Sequence, residues 1–155
     1  MTVKVEHINP FIRATMETFA TMIKADPRPG KVALRTGKEM HSDISGIIGL
    51  SGGAQGSVAL SFPRITALKV VSAFVGEKVV MMGDDVVDAI GELANIVAGS
   101  AKKDLSGFKI AISLPTVVLG DKHELTSKWE VVFMVVPFES SLGGFLLTVN
   151  FKSET

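Results

Sequence analysis

The sequence contains no cysteine, and that absence removes disulfides, thiolate catalysis and every cysteine-ligated metal centre. It has no excess of either charge, with 16 Lys+Arg against 16 Asp+Glu, so nothing in its overall balance asks for nucleic acid or an anionic membrane as a partner. A long apolar run is also missing. The most apolar stretch, VVFMVVPF from Val131 to Phe138, is far shorter than the roughly 18 residues of a spanning helix and reads as a buried strand. At the amino end, Lys4 and Glu6 interrupt MTVKVEHINP and deny it the apolar segment of an export signal, so a cytoplasmic protein is expected.

Several chemistries lack their residues. His7, His41 and His123 are scattered, with no second histidine at helical spacing, and no metal site is expected. The glycine cluster GLSGGAQG, Gly49 to Gly56, has neither the terminal lysine pattern of a phosphate-binding loop nor a helix after it, and reads as a hairpin turn. No serine sits in a G-x-S-x-G elbow, so a nucleophilic triad is not expected. Trp129, at the start of a strand-like run, reads as a core or rim aromatic.

What is present, 46% hydrophobic residues in a chain of 155, suits one domain, 1–155, with a sizeable core. Asn9 before Pro10 reads as a helix opening, the Asn side chain capping free amides and the proline fitting the first turn. Phe11, Ile12, Thr15, Phe19, Met22 and Ile23 then recur at helical spacing until DPRPG. Strand-like runs follow at Lys31–Thr36, Asp43–Ser51 and Gly56–Phe62, the last two joined by the turn GGAQ. A second helix runs from Pro63 through Phe74 and closes at Gly76, and an extended KVVMM leads to GDD. The third helix starts at Asp84 or Asp85 and reaches Lys103, with aspartates in its first turn and Lys102 and Lys103 in its last, as the helix dipole favours. Extended segments come next at Phe108–Ser113, Thr116–Leu119, KWEVVFMVVPF and GGFLLTVNF. The expected class is α+β, an antiparallel-rich sheet with long helices packed on it. The similar tails VALSF, Val58 to Phe62, and LTVNF, Leu147 to Phe151, add a suspected internal duplication.

The third helix carries the candidate site, GELANIVAG, Gly91 to Gly99. At 100° per residue, Val86, Val87, Ile90, Leu93, Ala94, Val97 and Ala101 fall on one arc, while Asp88, Glu92, Asn95, Gly99 and Lys102 fall on the other. Such a polar stripe is ordinarily just a solvated face, and Glu-x-x-Asn is cheap: EHIN, Glu6 to Asn9, is a second copy in this chain. The glycines raise its interest. Gly99 lies on the wet stripe and Gly91 at its margin, where alanine would favour the helix by about 1 kcal/mol. A position without a side chain beside Glu92 and Asn95 lets another backbone come close, which suggests a docking surface.

At DAIGELANIVAGSAKKDL, Asp88 to Leu105, the sequence resembles the CheC/CheX/FliY family of chemotaxis phosphatases, and within it the CheX type. The family's helix has E-x-x-N followed by an apolar pair, a glycine and a small residue, here Glu92, Asn95, Ile96, Val97, Gly99 and Ala101. The opening INPFI helix, the chain length and the order of elements extend the likeness over essentially the whole chain. The resemblance implies a CheC-like fold and hydrolysis of the aspartyl phosphate of a CheY-like response regulator. Glu92 would pair with the regulator's lysine and Asn95 would position the attacking water. Asp88, Gly91, Gly99 and Lys102 would contact the partner. The chain would need no cofactor of its own, Mg²⁺ residing on the regulator, and would pair as a homodimer. Laying the first helix on the third by their starts sets Glu17 against Glu92 but Ala20 against Asn95, which leaves one complete site. Two rivals remain: a non-catalytic regulator-binding or flagellar-switch adaptor of the same fold, and an unrelated domain whose stripe is only solvated.

Overall fold

The first helix begins differently from its sequence signal. In the computed structural model, which describes residues 5–36, 41–105, 107, 109–124 and 132–153, the chain enters through a 3₁₀ turn, Val5–Ile8, and passes directly into α1, Asn9–Thr18. Ile8, itself helical, holds the cap position, and no side chain caps the helix. A chain that arrives already coiled has no extended residue whose side chain can fold back on the first amides, so Asn9 is not the cap; Pro10 does sit in the first turn. After Thr18 the helix loosens into a π turn, Phe19–Ile23, and ends where Lys24 turns left-handed at φ 59°.

The remaining elements are β1 (Arg28–Pro29), β2 (Ala33–Thr36), β3 (His41–Gly52), β4 (Ala54–Phe62), α2 (Arg64–Val75), α3 (Asp84–Lys103), β5 (Ile110–Ile112), β6 (Thr116–Glu124), β7 (Val132–Glu139) and β8 (Phe145–Ser153). The glycine cluster is a hairpin turn: β3 and β4 pair antiparallel with Ile48 opposite Val58, and Gly52 takes φ 95° at the bend. Gly76, at φ 80°, closes α2. KVVMM joins no strand; its Val79 N–H donates to Ser72 Oγ at 2.9 Å, tying the connection to the end of α2. Phe108, Trp129 and the rest of residues 125–131 lie outside the described residues.

One antiparallel sheet takes strands from both halves of the chain, in the path β1-β7-β8-β4-β3-β5, with β2 also on β7 and β6 also on β3. The path reads alike from both ends: a hairpin on each side, each flanked by a strand from the opposite half. At its centre the two similar tails lie against each other. Val58 faces Val149, Ala59 faces Thr148 and Leu60 faces Leu147, so each tail meets its counterpart about a midpoint at Ala59 and Thr148. The suspected duplication of one helix-and-strands unit would produce such an arrangement.

Alternation along the strands divides the faces. Ile44, Ile48, Val58, Leu60, Phe62, Leu147 and Val149 join the helices in the main core, where Phe145 stacks on Phe19, Phe62 and Phe138 with centroids 4.6–5.1 Å apart. The opposite face buries a small apolar cluster of Phe133 and Val135 with Leu146 against it, and polar groups that are satisfied. Ser45 Oγ lies 2.7 Å from both Ser61 Oγ and His123 Nε2, and Asn150 Nδ2 donates to Ser57 Oγ at 2.6 Å. His123 Nδ1–H donates to the Gly120 carbonyl at 2.9 Å, which fixes this histidine as structural.

Candidate functional site

Helix α3 is seated by a strand position that has no side chain. Gly46 of β3 faces it so closely that a Cβ there would stand 2.8 Å from the Ile90 carbonyl oxygen and 3.1 Å from Ala94 Cβ. Val86, Ile90, Leu93, Ala94, Val97 and Ala101 are buried, as their arc requires. Asp84 and Asp85 open the helix and Lys102 and Lys103 close it, each sign at the terminus that stabilises it.

On the other side Asp88, Glu92, Asn95 and Lys102 are exposed and Gly99 is half-buried. Among the described residues, neither Glu92 nor Asn95 has a hydrogen-bond or ion-pair partner within the chain. A carboxylate and a carboxamide therefore project side by side from a rigid, well-anchored helix with their bonding capacity unspent. The amide can donate and accept at once, whereas the carboxylate can only accept.

Gly91 departs from its expected use. It is buried, and a Cβ there would stand 3.2 Å from Val117 Cγ2 and 3.5 Å from Pro115 Cβ, so the space it leaves is occupied by the chain's own β5–β6 segment. Gly99 differs: the nearest atom to its missing Cβ is Ile112 Cδ1 at 3.9 Å, an ordinary contact. Its own chain does not require glycine there.

The flank itself was not legible in the sequence. Ile112 reaches Gly99, and Pro115 and Val117 reach Gly91, so this segment borders the ridge on one side. Residues so far along the chain carry no local signal that they will lie beside Asn95; only the pairing of β5 and β6 with β3 brings them there. Among the described residues no group of three His, Asp or Glu side chains is placed to hold a metal ion, and no helix is long and apolar enough to cross a membrane.

A two-fold α+β sheet carrying one exposed Glu-x-x-Asn helix defines a CheC-like protein. A crystal structure of a CheC-like superfamily protein from Shewanella matches with TM-score 0.90 and 31% identity, over 97% of this chain and 100% of that one. The model of the family described as chemotaxis phosphatase CheX matches residues 44–139, and the chain belongs to that family. A CheY-P phosphatase CheX from Thermotoga maritima is 36% identical over 123 residues, 77% of this chain and 79% of that protein. The fold is also that of a CheX-CheY complex with BeF3 and Mg²⁺ from Borrelia burgdorferi, with TM-score 0.77 and 23% identity over 97% of this chain and 100% of that one.

Proposed function

We propose that this protein hydrolyses the aspartyl phosphate of a CheY-like response regulator, with Asn95 placing the attacking water and Glu92 gripping the regulator's active-site lysine. The observation that carries the reading is the shared exposure of Glu92 and Asn95 on α3, unpartnered among the described residues, in a chain of the chemotaxis phosphatase CheX family.

The chemistry suits these residue types. The water oxygen attacks phosphorus in line, the bond from phosphorus to the regulator's aspartate oxygen breaks, and inorganic phosphate leaves with the water's protons while the carboxylate is regenerated. Phosphoryl transfer is accelerated mainly by positioning and charge stabilisation, so an amide that fixes a water suffices without acting as a base. The Asn95 carbonyl oxygen accepts from the water and its NH₂ can donate to a phosphoryl oxygen. Mg²⁺ belongs to the regulator in this scheme, held beside its phosphorylated aspartate. Glu92 becomes desolvated against the lysine and fixes the register of docking, with Asp88 and Lys102 contacting the regulator on either side and Gly99 letting its backbone approach. Gly91 serves the site indirectly, by letting the β5–β6 segment lie against α3. We place the protein in the cytoplasm as a homodimer.

The test is phosphate release from a phosphorylated receiver domain with Mg²⁺. Asn95→Ala is expected to lower kcat about 10²-fold, the scale of losing a well-placed reactant, with docking largely kept. Glu92→Ala is expected to weaken docking by roughly 2–5 kcal/mol as well as slow release, because a buried lysine loses its partner. Unchanged release by Asn95→Ala would overturn the reading.

A further inference from the structure

Leu114 is the most exposed large apolar side chain among the described residues, 88% accessible. Its position follows from contacts on either side of it. Gly91, Asn95 and Gly99 form one row of α3, spaced four apart, and the row's ends are about 12 Å from each other. Ile112 meets the Gly99 end and Pro115 the Gly91 end. Three extended residues span about 10 Å, so Ser113 and Leu114 must lie alongside the middle of the row, which is Asn95.

The turn is held in place. Ser113 N–H donates to the Gly49 carbonyl at 2.9 Å, Gly49 N–H donates to Ser113 Oγ at 2.8 Å, and that hydroxyl donates to the Leu114 carbonyl at 2.8 Å. Pro115 fixes its own φ, confines Leu114 before it to extended backbone, and packs on Gly91. A leucine fixed in water by its neighbours gains nothing for the fold, yet it is ordered in advance for whatever covers it. Two residues beyond Val117, Leu119 is 49% exposed and continues the apolar edge toward Met82, which precedes α3.

We propose that Leu114 forms an apolar shoulder that contacts the receiver domain docking on α3 and helps select which regulator is accepted. This rests on the reading of α3 as the regulator's docking helix, and it commits the occupant to that same domain, because a body seated on Asn95 cannot avoid the neighbouring turn. The matching chemistry on the regulator is an apolar side chain at the rim of its phosphorylation pocket. Leu114 is a specificity-determining residue and takes no part in the bond-making step.

Steady-state phosphate release from a CheY protein charged with acetyl phosphate and Mg²⁺ tests it. Leu114→Ser is expected to raise KM roughly ten-fold, the loss from removing one apolar side chain from an interface, with kcat within about two-fold. Leu114→Met should restore KM. Leu34→Ser is the control: Leu34 is 57% exposed on β2, at the opposite edge of the sheet from β6, and its loss should leave KM unchanged. An unaltered KM for Leu114→Ser, with kcat of Asn95→Ala still lowered about 10²-fold, would overturn the shoulder and leave the catalytic reading standing. A fall in kcat at constant KM would also overturn it, since Leu114 would then act on Asn95 rather than on docking. Full activity in Asn95→Ala would remove the catalytic reading and the shoulder together.

Discussion

Gly99 sets stability against use at a single residue. A glycine inside a helix costs roughly 0.5–1 kcal/mol against alanine, and nothing in the chain requires the absence of a side chain here, the nearest atom standing 3.9 Å from the missing Cβ. Gly99→Ala is therefore expected to stabilise the protein, raising the thermal midpoint by about 2–4 °C for each kcal/mol gained in a chain of this size. If the docked regulator uses the vacant space, the same variant will have a higher KM for the phosphorylated regulator. Thermal unfolding and steady-state release on one preparation check both halves, and a more stable protein with unchanged KM would show that the space serves no partner. At Gly91 the balance is set by the chain itself. Gly91→Val is expected to destabilise by about 1–3 kcal/mol, because its side chain must displace Val117 and Pro115.

At the scale of elements, α3 was legible because its signals are local: aspartates at its start, lysines at its end and an apolar arc of helical period. The β3–β4 hairpin and the closure of α2 at Gly76 were legible for the same reason, since each depends on turn residues beside it in sequence. Asn9 misled because capping depends on how the preceding residues arrive, and here they arrive as a 3₁₀ turn. Gly46 was written within DISGIIGLS, but its purpose appears only when α3 lies across it. Gly46→Ala places a carbon 2.8 Å from a backbone oxygen that cannot move without the helix. Its expected cost is about 1–3 kcal/mol in a urea titration, and phosphate release should fall as well, because the displaced helix carries Glu92 and Asn95. A variant as stable as the parent would mean that α3 is held elsewhere.

The whole molecule turns on the two-fold relation between its halves, visible in sequence only as two five-residue tails and in structure as a strand path that reads alike from either end. Strand exchange between the halves could not be read locally, because β2 pairs with β7 and β6 with β3, partners far apart in sequence. The same relation makes α1, which packs against α3, the counterpart of the site helix. Glu17 is exposed on it, as Glu92 is on α3, but Ala20 stands where Asn95 would be. Ala20 also lies in the π turn Phe19–Ile23, wound more loosely than the regular α-helix that carries Glu92 and Asn95. The second copy thus lacks the amide and differs in its winding at that position. Adding the amide alone should not rebuild it: Ala20→Asn in an Asn95→Ala background is expected to release phosphate no faster than Asn95→Ala. Recovery toward the parent rate would mean that α1 presents the pair as well as α3 does, and that one side chain, rather than the winding of the helix, separates the silent half from the working one.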